Sequence, residues 1–396
     1  MTAAIIITFC SLLLFAYFFD LSSSRTKIPS VILLLLLGWS LHQVTNLLGF
    51  SLPSFGGILP VLGTVGLILI VLEGSLDLEL NASKMAIIKK SAFGATFSVV
   101  LVAAVLTGAF SMATSYSFKD CLTNAIPFCI ISSAIAIPTA RNLVSSEKEF
   151  VVYESSISDI LGVVAFNFVA LNEVIDGFAF AHFGFQIILV TVISFVATIG
   201  LSVMLNKITH HVKFVPIILT MILIYALTKL LHLPGLIFIL LFGLFIGNLD
   251  EFRHIKWIER LKPDELHAEV GKFRELVAEG TFLVRSLFFL LFGYLIETAE
   301  ILQVDSLIWA VGIVALCLVV RFIQLRLSKL TARRLVFVFP RGLISILLFI
   351  SIAAPQRIPL VNNALLTQVI ILSALLMMVG LMTSGSSQAN ETKTTP

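Results

Sequence analysis

Hydropathy along the chain alternates between long apolar runs and short polar breaks. A helix needs about 17 to 25 apolar residues to cross a bilayer core. Runs of that kind fall near 3–19, 30–48, 58–78, 91–113, 121–143, 152–172, 183–205, 214–231, 234–249, 280–298, 305–325, 335–354 and 364–382. The pattern predicts an all-α, polytopic membrane protein of about 13 transmembrane helices, since a helix closes its backbone hydrogen bonds within itself. The one long polar interval, Asp250 to Glu279, carries Phe252, Ile255, Trp257, Ile258 and Leu261 at roughly helical spacing. This predicts an interfacial amphipathic helix, although Pro263 interrupts the pattern and a solvated linker is the alternative. Residues 1–382 form the transmembrane unit, and the Ser/Thr-rich residues 383–396 are expected to be a short disordered cytoplasmic tail.

Composition strengthens the membrane reading. The 396 residues are 58% hydrophobic and 12% charged, with a mean hydropathy of +1.06, against roughly 25% charged residues in soluble domains. A net charge of +3 gives no reason to expect a nucleic-acid partner; membrane lipid is the expected surrounding. Lys and Arg alternate between successive loops. Of the 26, twenty fall on one side, among them Lys84, Lys89, Lys90, Lys148, Lys213, Lys272 and Arg333, and only Lys119 and Arg357 on the other. By the positive-inside rule the N-terminus is expected outside and the C-terminus in the cytoplasm; a retained first helix and the absence of organelle targeting favour a plasma membrane, a prokaryotic inner membrane before a eukaryotic one. The first apolar run has no Lys or Arg before it and no small-residue cleavage site after it, so it is read as a retained helix. Cys10, Cys121, Cys129 and Cys317 lie in apolar stretches without zinc-ligand spacing and read as packing residues. No cofactor is expected.

Ionisable groups inside spans cost roughly 2.5 to 3.5 kcal/mol on insertion scales, so each is a functional candidate. They are Glu73, Glu154, Asp159, Arg285, Arg321 and Arg341, with Lys229 close enough to a span end to snorkel. Asp159 is the deepest acid. Ser155, four positions earlier, shares its helical face, so a hydroxyl and a carboxylate can address one small cation. Glu154 points into a different contact and needs a basic partner, for which Arg321 is a candidate. In the preceding span Pro138 stands where a continuous helix needs an amide hydrogen, so the helix is expected to break or kink there. Broken helices of this kind build the ion sites of many secondary transporters. An enzyme would want a nucleophile with a base, a metal cluster or paired acids in a cleft. The histidines, His42, His182, His210, His211, His232, His254 and His267, are scattered and offer none of these.

The segment Glu154-Ser155-Ser156-Ile157-Ser158-Asp159 resembles the E-S-x-x-N-D pattern of the monovalent cation/proton antiporters, the sodium/proton exchanger superfamily. Ala136-Ile137-Pro138 sits near the place of that family's Thr-Asp-Pro in its unwound helix, and Leu72-Glu73-Gly74-Ser75-Leu76 looks like its F-x-x-G-L stretch. Cys317-Leu318-Val319-Val320-Arg321 is similar to its arginine-bearing eleventh span, and Phe339-Pro340-Arg341-Gly342-Leu343 to its G-x-R-G-A motif. Each motif is short; their order along most of the chain, from roughly Leu33 to Leu376, gives the resemblance its weight.

The resemblance implies an inverted-repeat antiporter fold, a homodimer joined through a scaffold half, and a mobile core half with two broken crossing helices. It implies that Asp159 carries the ion or proton and that a monovalent cation, Na⁺ before K⁺ or Li⁺, binds there. Ser155, Ser158, Thr139 and Glu73 become candidate cation contacts, Glu154 and Arg321 a structural ion pair, and Arg285 and Arg341 candidate coupling residues. Two departures stand out. Ile137 occupies the place of the Thr-Asp-Pro aspartate, and Ser158 stands where electrogenic relatives have a second aspartate, which favours one-for-one, electroneutral exchange. A buried carboxylate disfavours its charged form, so H⁺ and cation are expected to compete for Asp159. The alternatives are a potassium/proton exchanger, a channel-like relative and a membrane sensor without turnover.

Overall fold

The computed structural model describes residues 2–26, 28–49, 57–140, 143–172, 176–207, 213–231, 233–252 and 263–383, and these contain helices and no strand. The helices are α1 (Thr2–Thr26), α2 (Ser30–Leu47), α3 (Ile58–Asp77), α4 (Met85–Ala113), α5 (Phe118–Ala125), α6 (Ser133–Ala140), α7 (Ser145–Leu171) and α8 (Gly177–Lys207). There follow α9 (Phe214–Leu230), α10 (Leu236–Gly247), α11 (Pro263–Tyr294), α12 (Thr298–Ile301), α13 (Val304–Leu327), α14 (Ala332–Leu335), α15 (Leu343–Ser351) and α16 (Asn363–Thr383). Each predicted span meets a helical segment. Eight are long and apolar enough to cross a membrane outright, with α5 and α6 counted as one, and three more, in α1, α9 and α10, are shorter but apolar. The other two are α7, with its buried acids, and the α14–α15 segment, which is interrupted.

One boundary differs from the expectation. The predicted span at 280–298 belongs to α11, which runs back to Pro263, so half of the supposed polar loop is helix. A proline at the first helical position loses no hydrogen bond that the helix would otherwise make. Beyond the apolar stretch the helix keeps a buried stripe, Val270, Phe273 and Val277, with Lys272, Arg274 and Glu275 exposed, and that amphipathic face extends it. The residues proposed for an interfacial helix, Ile255 to Leu261, lie outside the described residues, as do Arg141 and residues 384–396.

The helices pack as two groups. In one, α11 lies against α2 and α3, α10 against α3 and α8, and α1 against α2. The α2–α11 crossing is made by glycines: a Cβ on Gly38 would sit 2.1 Å from Leu290 O, and one on Gly293 2.4 Å from Leu35 O. Close backbone approach of this kind replaces the hydrophobic drive that lipid cannot supply. In the other group α4 packs on α5 and α7, α6 on α7, and α13 on α4 and α16. Helix α3 lies along the boundary and touches α6, α7 and α15.

The strand of chain from α3 to α4 is tied to both groups. From the first, Asn248 donates to Leu78 O (2.7 Å) and accepts from Leu80 N (2.6 Å). From the second, Tyr153 donates to Glu79 O (2.6 Å), and Lys84 pairs with Glu79 (2.7 Å) and Glu149 (3.2 Å). The hydrogen bond to Glu79, joined by that to Glu149, holds the Lys84 ammonium above the usual lysine range.

Candidate ion site at two broken helices

Helix α5 runs into a single 3₁₀ turn at Ile126–Phe128 and the chain then unwinds before α6 begins at Ser133. The break thus lies at 129–132, not at the predicted Pro138, which sits inside α6. Pro127 contributes, because it brings no amide hydrogen to the end of α5. The second broken segment is α14–α15, unwound between Val336 and Gly342. The two gaps cross: Ser132 N donates to Pro340 O (2.9 Å), and a Cβ on Gly342 would lie 2.7 Å from Ser132 Oγ. Only a glycine lets the segments meet this closely.

A gap in a helix exposes a positive end and a negative end, and a buried charge of opposite sign meets each. At the negative end, Phe128 O accepts from Arg341 Nε (2.6 Å). Arg341 also donates to Phe339 O (2.9 Å) and to Cys317 Sγ (3.1 Å) and is 2% exposed. At the positive end, the N-terminus of α6, stands the carboxylate of Asp159, 1% exposed. Its Oδ2 accepts from Ser133 N (3.3 Å) and from Ser133 Oγ. Its Oδ1 is buried and has no hydrogen-bond partner among the described residues. One carboxylate oxygen is held by the protein and the other is not.

The remaining candidates fall into four places. Ser155 and Ser158 are buried on α7 close to Asp159 in sequence, Thr139 is buried near the far end of α6, and each hydroxyl has a local task. Ser155 donates to Val151 O (2.7 Å), Thr139 to Ile135 O (2.7 Å), and Ser158 accepts from Ile131 N (3.0 Å), satisfying an amide freed by the unwinding. Glu73, partly buried on α3, is next to Gly74, where a Cβ would meet Ser156 Oγ at 3.1 Å, so α3 abuts α7 at this level. Glu154 and Arg321 form a buried pair, each 1% exposed, on the far side of α7. Arg321 reaches Leu335 O (3.0 Å) and Gln324 Oε1 (3.0 Å) as well, joining α7, α13 and α14. Arg285 lies in the other helix group, 3.9 Å from Asp20 Oδ1, so the structure does not bring it to Asp159.

Ser133, the donor to Asp159, was not among the sequence candidates. The signal was the adjacent pair Ser132-Ser133 in an otherwise apolar span, overshadowed by the proline five residues on. The same finding corrects the Thr-Asp-Pro comparison. Ala136-Ile137-Pro138 is helical, and the polar group opposite Asp159 is Ser133, so Ile137 replaces nothing at the break. The four cysteines are free thiols; Cys317 additionally receives the Arg341 guanidinium.

Two interrupted helices crossing inside a bundle of apolar spans, with a half-satisfied carboxylate at the crossing, define a secondary transporter of small ions. The chain matches the family of transmembrane sodium/hydrogen exchangers over residues 10–385 and belongs to it. It is a cation/proton exchanger. No curated protein matches its sequence. Two structures of the sodium proton antiporter MjNhaP1 from Methanocaldococcus jannaschii are similar in fold. One aligns with a TM-score of 0.67 at 17% identity over 96% of each chain, the other with a TM-score of 0.70 at 17% identity over all of both.

Proposed function

We propose that this protein exchanges Na⁺ for H⁺ one for one, with Asp159 as the carboxylate that both occupy in turn. The single observation that carries this reading is the state of Asp159: buried at the end of α6, with Oδ2 held twice by Ser133 and Oδ1 without a donor. An ionised, buried carboxylate is costly, so the core crosses the membrane with Asp159 neutralised by a proton or by a cation. Ser158 bonds the backbone at the break instead of offering a second acid, which supports one charge per cycle and hence electroneutral exchange. Ser155 and Glu73 are the nearer candidates to complete the cation shell, with Thr139 at the far end of α6; Glu154, Arg321 and Arg341 keep the core rigid.

The N-terminus faces outside and the basic loops face the cytoplasm of a prokaryotic inner membrane. The scaffold helices pair with a second copy. Asp159→Asn abolishes sodium-driven pH change in proteoliposomes while the protein still purifies as a folded species; exchange that survives this change overturns the assignment. Everted vesicles challenged with Na⁺, Li⁺ and K⁺ in turn decide the cation, with the largest response expected for Na⁺.

A further inference from the structure

Two adjoining cavities open at the end of the molecule where α7 finishes. The first, about 420 Å³, lies between the helix groups and is lined on one side by Thr64, Tyr225 and Lys229 and on the other by Val163, Asn167 and Ser351. The second, about 370 Å³, is lined by Asn167, Asn172, His182 and Gln186 among others. Asn167 belongs to both. Asp159, Val163 and Asn167 recur every four residues on α7 and therefore share one face. The cavities thus descend along that face to Val163, one helical turn from the carboxylate. Asp159 itself lines neither cavity, and the first stands one turn short of it on this side.

Its charge has the wrong sign for a cation path. Lys229 is the one basic side chain lining the first cavity, which has no acidic one. Among the described residues no carboxylate pairs with it. A lysine in the last turn of α9 is favoured by the helix dipole, and that alone would account for its presence but not for its place in the approach to a cation site.

We propose that Lys229 sets how readily the site fills with cation from this face, its ammonium standing in the vestibule and repelling the arriving ion. The inference rests on Asp159 being the ion-carrying group. A fixed charge of this kind cannot change the equilibrium set by the two ion gradients. It raises the cation concentration needed for half-maximal exchange on one face and leaves the other face alone.

The test compares right-side-out and everted vesicles carrying wild type, Lys229→Gln, Lys229→Arg and Lys229→Glu, with sodium varied on one face at a time. One charge within several ångströms in hydrated surroundings is worth about a threefold change in local cation activity. Neutralisation is expected to lower KM for sodium about threefold on the α7-end face, and charge reversal about tenfold. Arg keeps the wild-type value, and the opposite face does not respond. Raising impermeant salt from 10 to 200 mM shrinks the difference, because screening shortens the reach of the charge. An unchanged KM, an equal shift on both faces, or a change confined to maximal rate overturns the role of Lys229. Asp159→Asn is run beside these: exchange that persists there defeats the reading of the site itself, and a loss there with unchanged Lys229 variants defeats only this inference.

Discussion

Replacing Arg321 by Met is the perturbation whose cost the structure specifies most closely. The guanidinium lies against Glu154 Oε1 and donates to Leu335 O and Gln324 Oε1, with both charges of the pair 1% exposed. Methionine fills much of the volume and supplies none of the donors. Glu154 is then a buried carboxylate without a counter-charge, and removing one partner of such a pair costs about 3 to 5 kcal/mol. Most of that is the stranded charge and not the lost attraction, so a second change that removes the charge recovers it. The double variant Arg321→Met with Glu154→Gln is therefore expected to be more stable than Arg321→Met alone by about 2 kcal/mol. Glu154→Gln by itself strands Arg321, which cannot shed its proton, and loses a comparable amount. The assay is the fraction of purified protein that stays monodisperse in detergent after heating, read across the four proteins of the cycle. Additive losses, with the double variant worse than either single one, would refute the claim that the two residues act as a charge pair.

Two further changes address the crossing itself. Ser133→Ala removes the hydroxyl donor to Asp159 and leaves the amide; a hydrogen bond to a charged group is worth about 1.5 to 3 kcal/mol. The ionised carboxylate is weakened against its protonated form by that amount, so at fixed pH the KM for sodium is expected to rise at least tenfold in a vesicle assay, while heat stability changes little. Gly342→Val places a side chain where a Cβ alone comes within 2.7 Å of Ser132 Oγ. It is expected to force the broken segments apart, lowering the melting temperature and abolishing exchange together, and wild-type behaviour in either measurement would contradict the crossing.

The parts of the molecule that were legible in its sequence are those fixed by contact with lipid. Thirteen apolar stretches announced the spans, and of the three acids within them Asp159 stood out as the deepest, because a buried charge is costly. The link between Glu154 and Arg321, 167 positions apart, followed from the need of a buried acid for a basic partner and was reinforced by the order of the motifs, since hydropathy carries no information about which spans are neighbours. The position of the break was misread for a related reason. Pro138 is the strongest local breaker, yet the chain unwinds earlier, where Pro340 and Gly342 of a distant segment supply the partners that make unwinding affordable. Ser133 went unnoticed with it. The start of α11 was misplaced because hydropathy marks where lipid ends, and a helix with an apolar stripe of its own can continue into water.

The bonds that join the two gaps run from Ser132 N to Pro340 O and from Arg341 Nε to Phe128 O at the edge of the first. In both of these the acceptor is a main-chain carbonyl, while Ser158 Oγ and Ser373 Oγ accept from Ile131 N and Arg341 N beside them. The crossing consequently leans on few side chains: Arg341, Gly342 and the hydroxyls of Ser158 and Ser373. Such a knot lets the binding chemistry be retuned by exchanging one or two hydroxyl-bearing residues while the moving body that carries it keeps its shape. Divergence in ion preference and conservation of mechanics can then proceed on separate sets of positions.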